Sequence, residues 1–368
     1  MINIDYKTLL NFTYKIFKKI KLDEFSARTV SFGICEASLR GVDSHGVKLF
    51  PHYVNSGILG RKNPKPKFKF HKKFDCAYLL DADNGYGLAA GAKAVQKGIN
   101  IAKKKGICMI GVKNSSHPGA LASIVLPAAK KGFMALAFTH ADSLQLTYGG
   151  KKSFFGTNPI CFVAPRYKEE PFCLDMATTK ISWNKLLNFK RLKNRLPDNL
   201  AADKHGKTTN NPNLADSLIS IGGYKGYGLA AMIEILCSVF LGMNFGKNIP
   251  PMYKSSMYKP RKLGQFYLFF KSDMFVNKTK FTKNLKKMYS QVKKQKKKSN
   301  NKIYMPNDKE ILISNKFRIV PPWYDQNMFM GKTIIINPGS GFGTGTHPTT
   351  VLCLRWIEKN IDHFDNVL

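Results

Sequence analysis

The stretch from Cys76 to Lys105 sets the first limit on what this chain can fold into. An apolar run, Cys76 to Leu80, leads through Asp81-Ala-Asp-Asn-Gly-Tyr-Gly-Leu-Ala-Ala-Gly into a segment ending in Lys103-Lys-Lys. That order predicts a strand, a glycine turn and a helix, the unit from which α/β proteins are built. Gly85, Gly87 and Gly91 come close to a dinucleotide-binding fingerprint, but the spacing is off by one. The next apolar run, Ile107 to Val112, is not followed by the acidic residue that would hold a ribose. The expectation is an α/β fold that is not a Rossmann sheet.

Other elements follow from periodicity. Leu9, Leu10, Phe12, Ile16, Phe17 and Ile20 recur at helical spacing behind a capping Asp5, and a second helix is predicted from about Asp23 to Leu39. Residues 60–73 are basic and contain prolines, and read as a loop. Strands are predicted over 107–112, 133–138, 160–163, 172–174 and 265–270, with Pro118 in the first turn of a helix. Residues 184–213 read as an irregular, exposed excursion. The most apolar helix opens at Gly222-Gly-Tyr-Lys-Gly-Tyr-Gly, and Lys278 to Lys298 reads as a lysine-rich helix running into a linker.

Charge and cysteines narrow the function. The 368 residues carry a net charge of +36, from 59 basic against 23 acidic side chains. The excess is lysine spread along the chain, with no patch of arginine and aromatics, so specific nucleic-acid binding is the weaker expectation. No apolar run reaches membrane-spanning length; the longest candidate, Leu229 to Met243, is interrupted by Glu234 and is expected to be a buried helix. The N-terminus lacks the basic-then-apolar order of a secretory signal. Seven cysteines with no Cys-x-x-Cys pair predict reduced thiols, no metal site and a cytoplasmic protein.

The polar chemistry is concentrated in Arg40-Gly-Val-Asp-Ser-His-Gly-Val-Lys-Leu-Phe-Pro-His-Tyr, at the end of a predicted helix. His45 titrates near neutrality and can give or take a proton, although a surface histidine at a helix end has the same sequence appearance. His117 follows a predicted strand in Asn114-Ser-Ser-His-Pro-Gly, either facing an anion or capping a helix. Asp175-Met-Ala-Thr-Thr, at the end of another strand, is placed to hydrogen-bond a cofactor or to cap a helix. The glycines around Lys225 can cradle a phosphate or carboxylate, or form a flexible turn.

Taken together and in order, these segments resemble one family, the malate/L-lactate dehydrogenase-like oxidoreductases, which include ureidoglycolate, sulfolactate and diketogulonate enzymes. Arg40 to Gly46, Asp83-Asn-Gly-Tyr-Gly, Asn114 to Gly119, Gly156-Thr-Asn-Pro, Asp175-Met-Ala-Thr and Gly222 to Ala230 carry the match. The resemblance implies a non-Rossmann NAD(P)-binding α/β fold, NAD(H) or NADP(H), a homodimer, and interconversion of small 2-oxo and 2-hydroxy acids. It implies that His45 donates the proton, with Ser44 beside it and His117 as second active-site histidine. Arg40, Lys48 and Asn114 become candidates for the substrate. Thr157, Asp175, Met176, Ala177, Thr178, Thr179, Lys180, Ile181, Tyr224 and Lys225 become candidates for the cofactor. Two positions depart from the family. Lys48 stands where arginine is usual, which keeps a charge but loses a bidentate grip on carboxylate. Tyr304-Met-Pro-Asn-Asp stands where Pro-Gly-Glu is usual, putting Asn307 in place of glycine. Residues 1–75 are expected as a helical part, 76–275 as the cofactor and substrate domain, and 276–316 as the family's C-terminal segment.

Near Lys316 the sequence changes character. Phe317-Arg-Ile-Val-Pro-Pro-Trp-Tyr-Asp and Gly341-Phe-Gly-Thr-Gly-Thr-His-Pro-Thr-Thr resemble the middle of a ribosomal-protein lysine methyltransferase. The family's first cofactor strand would begin at Val367-Leu368, and its glycine loop lies beyond. Residues 317–368 are therefore expected to be a methyltransferase fragment that is inactive alone.

Overall fold

The computed structural model describes residues 4–166 and 169–295, with the backbones of short strands at 311–312, 317–320 and 332–335. The N-terminal half contains α1 (Tyr6–Lys19), α2 (Glu24–Leu39), α3 (Phe50–Ile58), β1 (Lys69–Phe74), β2 (Ala77–Asp81), α4 (Gly87–Lys105), β3 (Ile107–Ser115), α5 (Leu121–Lys130) and β4 (Phe133–Thr139). After it come β5 (Gln145–Leu146), β6 (Ser153–Phe155), β7 (Ile160–Ala164), β8 (Phe172–Met176), α6 (Trp183–Arg191), β9 (Ala201–Ala202), β10 (Ser217–Leu218), α7 (Tyr224–Cys237), β11 (Leu263–Lys271) and α8 (Lys278–Lys293).

Local chemistry accounts for the helix ends. Asp5 and Asp23 accept the amides of Thr8 and Ser26 at the starts of α1 and α2, and Ser182 and Asn277 do the same for α6 and α8.

The main sheet has seven strands in the order β1-β2-β3-β11-β4-β7-β8. Only β2 and β3 run parallel; β11 pairs antiparallel with β3 on one side and β4 on the other. A late strand therefore occupies the middle of a sheet begun much earlier. This mixed sheet agrees with the expected non-Rossmann α/β fold. A second sheet, β6-β5-β10-β9, packs over its own small core of Ile181, Leu186, Leu196, Ala201 and Leu218.

Side chains alternate along β11 and so build two layers. Tyr267 and Phe269 join α2, α4 and α5 in the principal core, which also takes Phe17 from α1. Phe266 faces the opposite side, where Ile233 and Cys237 of α7 meet Phe138. The helices of residues 1–75 thus share one core with the sheet. The stretch 224–241 is apolar and long enough to cross a membrane by length and composition, yet only part of it is buried here. Expected as a buried helix, it is half covered: Ile233 and Cys237 lie on the sheet, while Met232, Ile235, Val239 and Phe240 are exposed. Glu234 is buried and accepts Asn158 Nδ2 at 2.7 Å and the Gly246 amide at 2.8 Å.

Several sequence expectations need correction. Residues 69–73, part of the stretch read as loop, form most of edge strand β1 through main-chain pairing with β2 that periodicity does not reveal. Pro118 precedes α5 rather than opening it, because the helix begins at Leu121. The excursion at 184–213 contains α6 and much of the second core. Asp175 lies within β8, not beyond its end. The Tyr304 to Asp308 segment lies outside the described residues. Within the methyltransferase-like stretch only the pairing of β12 (Ile311–Leu312) with β13 (Phe317–Val320), and of β13 with β14 (Lys332–Ile335), is described.

Candidate active site

The loop bearing His117 is held by the start of α4. Ser116 Oγ donates to Gly85 O at 3.0 Å and accepts the Gly87 amide at 2.9 Å. A side chain at Gly87 would place its Cβ 2.1 Å from Ser116 O, so glycine is required for this close approach. Gln265 of β11 adds a bond from Nε2 to Ser115 Oγ at 2.8 Å. The glycines that imitate a dinucleotide fingerprint therefore serve, at Gly87, to seat a histidine loop.

His45 arrives from the other direction. Arg40 caps α2, and Gly41 (φ 71°) turns the chain into a short 3-10 turn over Asp43–His45. Ser38 Oγ accepts the Val47 amide at 2.9 Å and fixes the exit of this turn. The two imidazoles stack, with centroids 5.5 Å apart and planes 21° apart. Ser44 Oγ lies 2.9 Å from His45 Nδ1, which leaves Nε2 as the open nitrogen. His117 Nδ1 accepts the Gly119 amide at 3.3 Å and lies 2.9 Å from Tyr53 Oη. Because an amide can only donate, that nitrogen is the acceptor, and the proton of neutral His117 sits on Nε2.

Burial holds both rings in their neutral form. His45 is pushed down to about 4 by desolvation. His117 is lowered by desolvation first, and then by the charges of His45, Arg261, Lys62 and His52. His52 and His140 are each pushed down to about 3, burial again leading. His140 lies 4.0 Å from Glu234 Oε1, but its Nε2 accepts the Gly264 amide at 2.8 Å and so carries no proton. We therefore treat that pair as a neutral imidazole beside a carboxylate.

Residues not singled out in the sequence complete the surroundings. Asn184, in the first turn of α6, donates to Ser44 O at 2.7 Å and accepts from Tyr253 Oη at 2.7 Å. Arg61 donates to the carbonyls of Met252, Ser255 and Ser256, and Arg261 pairs with Asp142. Tyr53, 1% exposed, links the His117 loop to α3, and Lys62 packs on its ring with Nζ 3.8 Å from the centroid. No local pattern distinguishes these side chains from others of their type.

The proposed substrate residues scatter. Arg40 pairs with Glu170 at 2.8 Å and Glu36 at 3.6 Å, and so joins α2 to the β7–β8 loop. Asn114 bonds both carboxylate oxygens of Asp81 at 3.1 Å from a left-handed position near the end of β3. Lys48 is exposed, with Nζ 3.4 Å from Asn188 Oδ1.

The cofactor candidates gather better. Thr178 donates through its amide and Oγ1 to Thr157 O, and its own carbonyl accepts the Ile221 amide at 3.0 Å. The Lys180 amide bonds Ile219 O at 2.9 Å, so 178–181 is tied to the strand leading into Gly222-Gly223. Thr179 Oγ1 is turned inward to Ile181 O, and Asp175 Oδ2 accepts the Ala122 amide at 2.8 Å as a cap for α5. Met176 and Ala177 are half-buried, Lys180 is exposed and Ile181 is buried in the second core. Segment 178–184 thus runs from the glycine turn to Asn184, beside the histidines.

The turn itself suits a nucleotide cofactor. Gly222 (φ 55°) and Gly223 (φ 63°) adopt a conformation side chains avoid, and the amides of Gly222, Gly223 and Tyr224 have no acceptor among the described residues, whereas those of Lys225 and Gly226 bond Gly222 O and Ile221 O. Tyr148 and Tyr224 stand exposed beside it, 6.1 Å apart, with Lys225 also exposed. Behind it, Gln145 Oε1 and Ser217 Oγ are buried without a partner among the described residues. Uncovered amides and a lysine match phosphates, and the rings match flat heterocycles.

A mixed-sheet α/β oxidoreductase with a neutral histidine pair is the class these features define. Residues 4–318 match the malate/L-lactate dehydrogenase family, and the chain belongs to it. It is 32% identical over 259 residues to ureidoglycolate dehydrogenase (NAD(+)) of Escherichia coli strain K12, covering 70% of this chain and 74% of that protein. It is 30% identical over 306 residues to malate dehydrogenase of Pyrococcus abyssi, covering 80% and 83%. Among solved structures, malate dehydrogenase from Entamoeba histolytica superposes with a TM-score of 0.78 at 27% identity, covering 83% and 88% of the two chains. Sulfolactate dehydrogenase from Methanocaldococcus jannaschii gives 0.77 at 28%, again covering 83% and 88%. The chain is accordingly an NAD(P)-dependent oxidoreductase of the 2-hydroxy-acid dehydrogenase type.

Neutral histidines, fully buried at His140 and partly buried at His45, His52 and His117, impose a pH dependence on folding. The unfolded chain binds protons near pH 6.5 that the folded chain refuses until about pH 3 to 4. The contribution of these histidines to stability is therefore constant above about pH 6.5 and falls as pH drops below it. Thermal midpoints measured between pH 7 and 5, above most carboxylate titration, are expected to decline steadily; a flat series would contradict neutral burial.

Proposed function

We propose that this enzyme interconverts small 2-oxo acids and 2-hydroxy acids, with His45 Nε2 carrying the proton to and from the reacting oxygen. The observation that carries the reading is the stacked pair of neutral imidazoles, 5.5 Å apart. Ser44 Oγ engages Nδ1 and orients the His45 ring. The Nε2–H of His117 is available as a donor to developing negative charge, because its other nitrogen is occupied by Gly119 and Tyr53. The uncovered amides before Tyr224, with Lys225, Thr157 and the 176–181 segment, would hold the dinucleotide. When bound, the nicotinamide ring supplies or accepts the hydride. Arg40 is already paired, so Lys48 is the better candidate for the substrate carboxylate. The names of relatives cover malate, sulfolactate and ureidoglycolate, all hydroxy acids with a carboxylate; we read this enzyme's substrates as members of that class.

Because His45 is neutral in the free protein, the base form needed for oxidation is present throughout the neutral range, whereas reduction requires proton uptake. With NADH or NADPH and a panel of 2-oxo acids, kcat/KM is expected to rise about tenfold per unit as pH falls from 7 to 5, the slope of one proton taken up. Oxidation should not share that slope. His45→Ala should lose about a hundredfold or more, the usual contribution of a positioned proton carrier. Wild-type activity in that variant would sink the assignment.

We further read the protein as a homodimer joined through α7. Met232 and Ile235 lie on its exposed face, and Val239 and Phe240 of the 3-10 turn that follows, with Phe245, extend the patch. Ile235→Asp with Phe240→Asp is expected to halve the mass seen by light scattering. An unchanged mass, or a monomeric wild type, would remove α7 from the interface. The cytoplasm is the compartment this reading assumes.

Residues 317–368 we read as an inactive fragment of a ribosomal-protein lysine methyltransferase. The run from Gly341 to Thr350 supports this, as does the end of the family match at residue 318. Calorimetric titration of the full chain with S-adenosylmethionine is expected to give no heat; saturable binding would make the segment functional.

A further inference from the structure

Lys62 is 2% exposed in a chain whose lysines are otherwise mostly on the surface. Its Nζ sits 3.8 Å from the centroid of the Tyr53 ring and 4.6 Å from that of Tyr86, and has no hydrogen-bond partner among the described residues. A buried amine without an oxygen partner is costly, and an apolar chain of similar length would fill the same slot at lower cost. The ring it covers belongs to the tyrosine whose hydroxyl bonds His117. That hydroxyl and the Gly119 amide both occupy His117 Nδ1, so a proton arriving there must break an existing hydrogen bond. His45 carries no such constraint from the backbone.

Resting on the reading of His45 as proton carrier, we propose that Lys62 is a positioning residue that, together with Arg261, biases which of the two stacked imidazoles is protonated, disfavouring a proton on His117 so that His45 takes it. The rings of Tyr53, on α3, and Tyr86, at the start of α4, face Lys62 directly. The charges acting on it are Arg261 and its neighbour Arg61, both cations, and Asp142 is engaged by Arg261. His52 on α3 and His117 in the β3–α5 loop both feel its charge. Burial first, and then the two arginines, hold Lys62 well below the ordinary lysine range. When protonated, Lys62 lies between two electron-rich rings, and its charge opposes a proton on His117 alongside those of His45 and Arg261. His45 is depressed by burial alone. Lys62 and Arg261 both act on His117 and not on His45, and they add to the occupied Nδ1 in setting the asymmetry across the pair.

The test is Lys62→Met, followed by imidazole NMR titration of the full chain and by the pH profile of 2-oxo acid reduction. The His117 titration is expected to move up by about one unit, the scale of removing one nearby like charge, while His45 moves little. The reduction profile should change shape rather than merely scale. Lys62→Arg, which keeps the charge, should leave His117 near its wild-type titration. A role confined to packing would move neither the titration nor the profile. If Lys62→Met does not fold, Lys62→Gln gives the same readout. A His117 titration unchanged in the neutral variant overturns the inference. Undiminished activity in His45→Ala overturns the proton-carrier reading separately, because the NMR titration needs neither cofactor nor turnover.

Discussion

The insertion of β11 between β3 and β4 is the constraint on which the rest of the structure depends. It gives the sheet a centre paired on both edges and buried on both faces, with α4 and α5 on one side and α7 on the other. Gln265, in that strand, reaches Ser115 and the carbonyl of Gly87, and Tyr267 Oη donates to Gln265 Oε1 at 2.5 Å. Buried polar groups of this kind are expensive unless satisfied, so the strand and the histidine loop are placed together or not at all. The candidate site is thus anchored to the most protected strand of the fold.

From that anchor the chemistry is arranged by burial more than by direct ion pairing. His45 and His117 stack in a partly desolvated recess where neutral rings are favoured, and the nearest cations are directed elsewhere. Arg61 is spent on three carbonyls of the 252–256 loop, and Arg261 on Asp142 and the Pro250 carbonyl. Both arginines strap one loop over the site while adding positive potential to it. An anionic substrate entering such a place gains from the field and, by its own charge, makes a protonated imidazole easier to form.

The nucleotide side follows a different logic. The 178–181 segment is clamped to 219–221 by main-chain bonds, which places the Gly222-Gly223 turn beside it with uncovered amides. The same segment continues into Asn184, which bonds Ser44 O. A rigid connection between the Gly222-Gly223 turn and the His45 loop suits hydride chemistry, since a displacement of an ångström between cofactor and proton carrier is costly.

Much of this was legible in the residues themselves. Helical periodicity and capping aspartates located α1 and α2 to within a residue or two, and short apolar runs located β3, β4, β7 and β11. The Ser-His-Gly and Ser-His-Pro-Gly segments were recognisable as chemistry because glycine, histidine and hydroxyl groups sit together in them. The expectation for Arg40 and Asn114 did not anticipate their partners, Glu170 and Asp81, which are 130 and 33 residues away. Lys62 was invisible for a plainer reason: among 59 basic residues, nothing local marks the one that folding will bury. The sequence by itself determined the helices, the strand cores and which segments gather histidine, hydroxyl and glycine, because these depend on neighbours a few positions apart. Only the tertiary structure decided the central place of β11, the stacking of His45 on His117 and the enclosure of Lys62 by Tyr53 and Tyr86. Those outcomes depend on long-range pairing and on desolvation, and neither exists until the chain has closed around them.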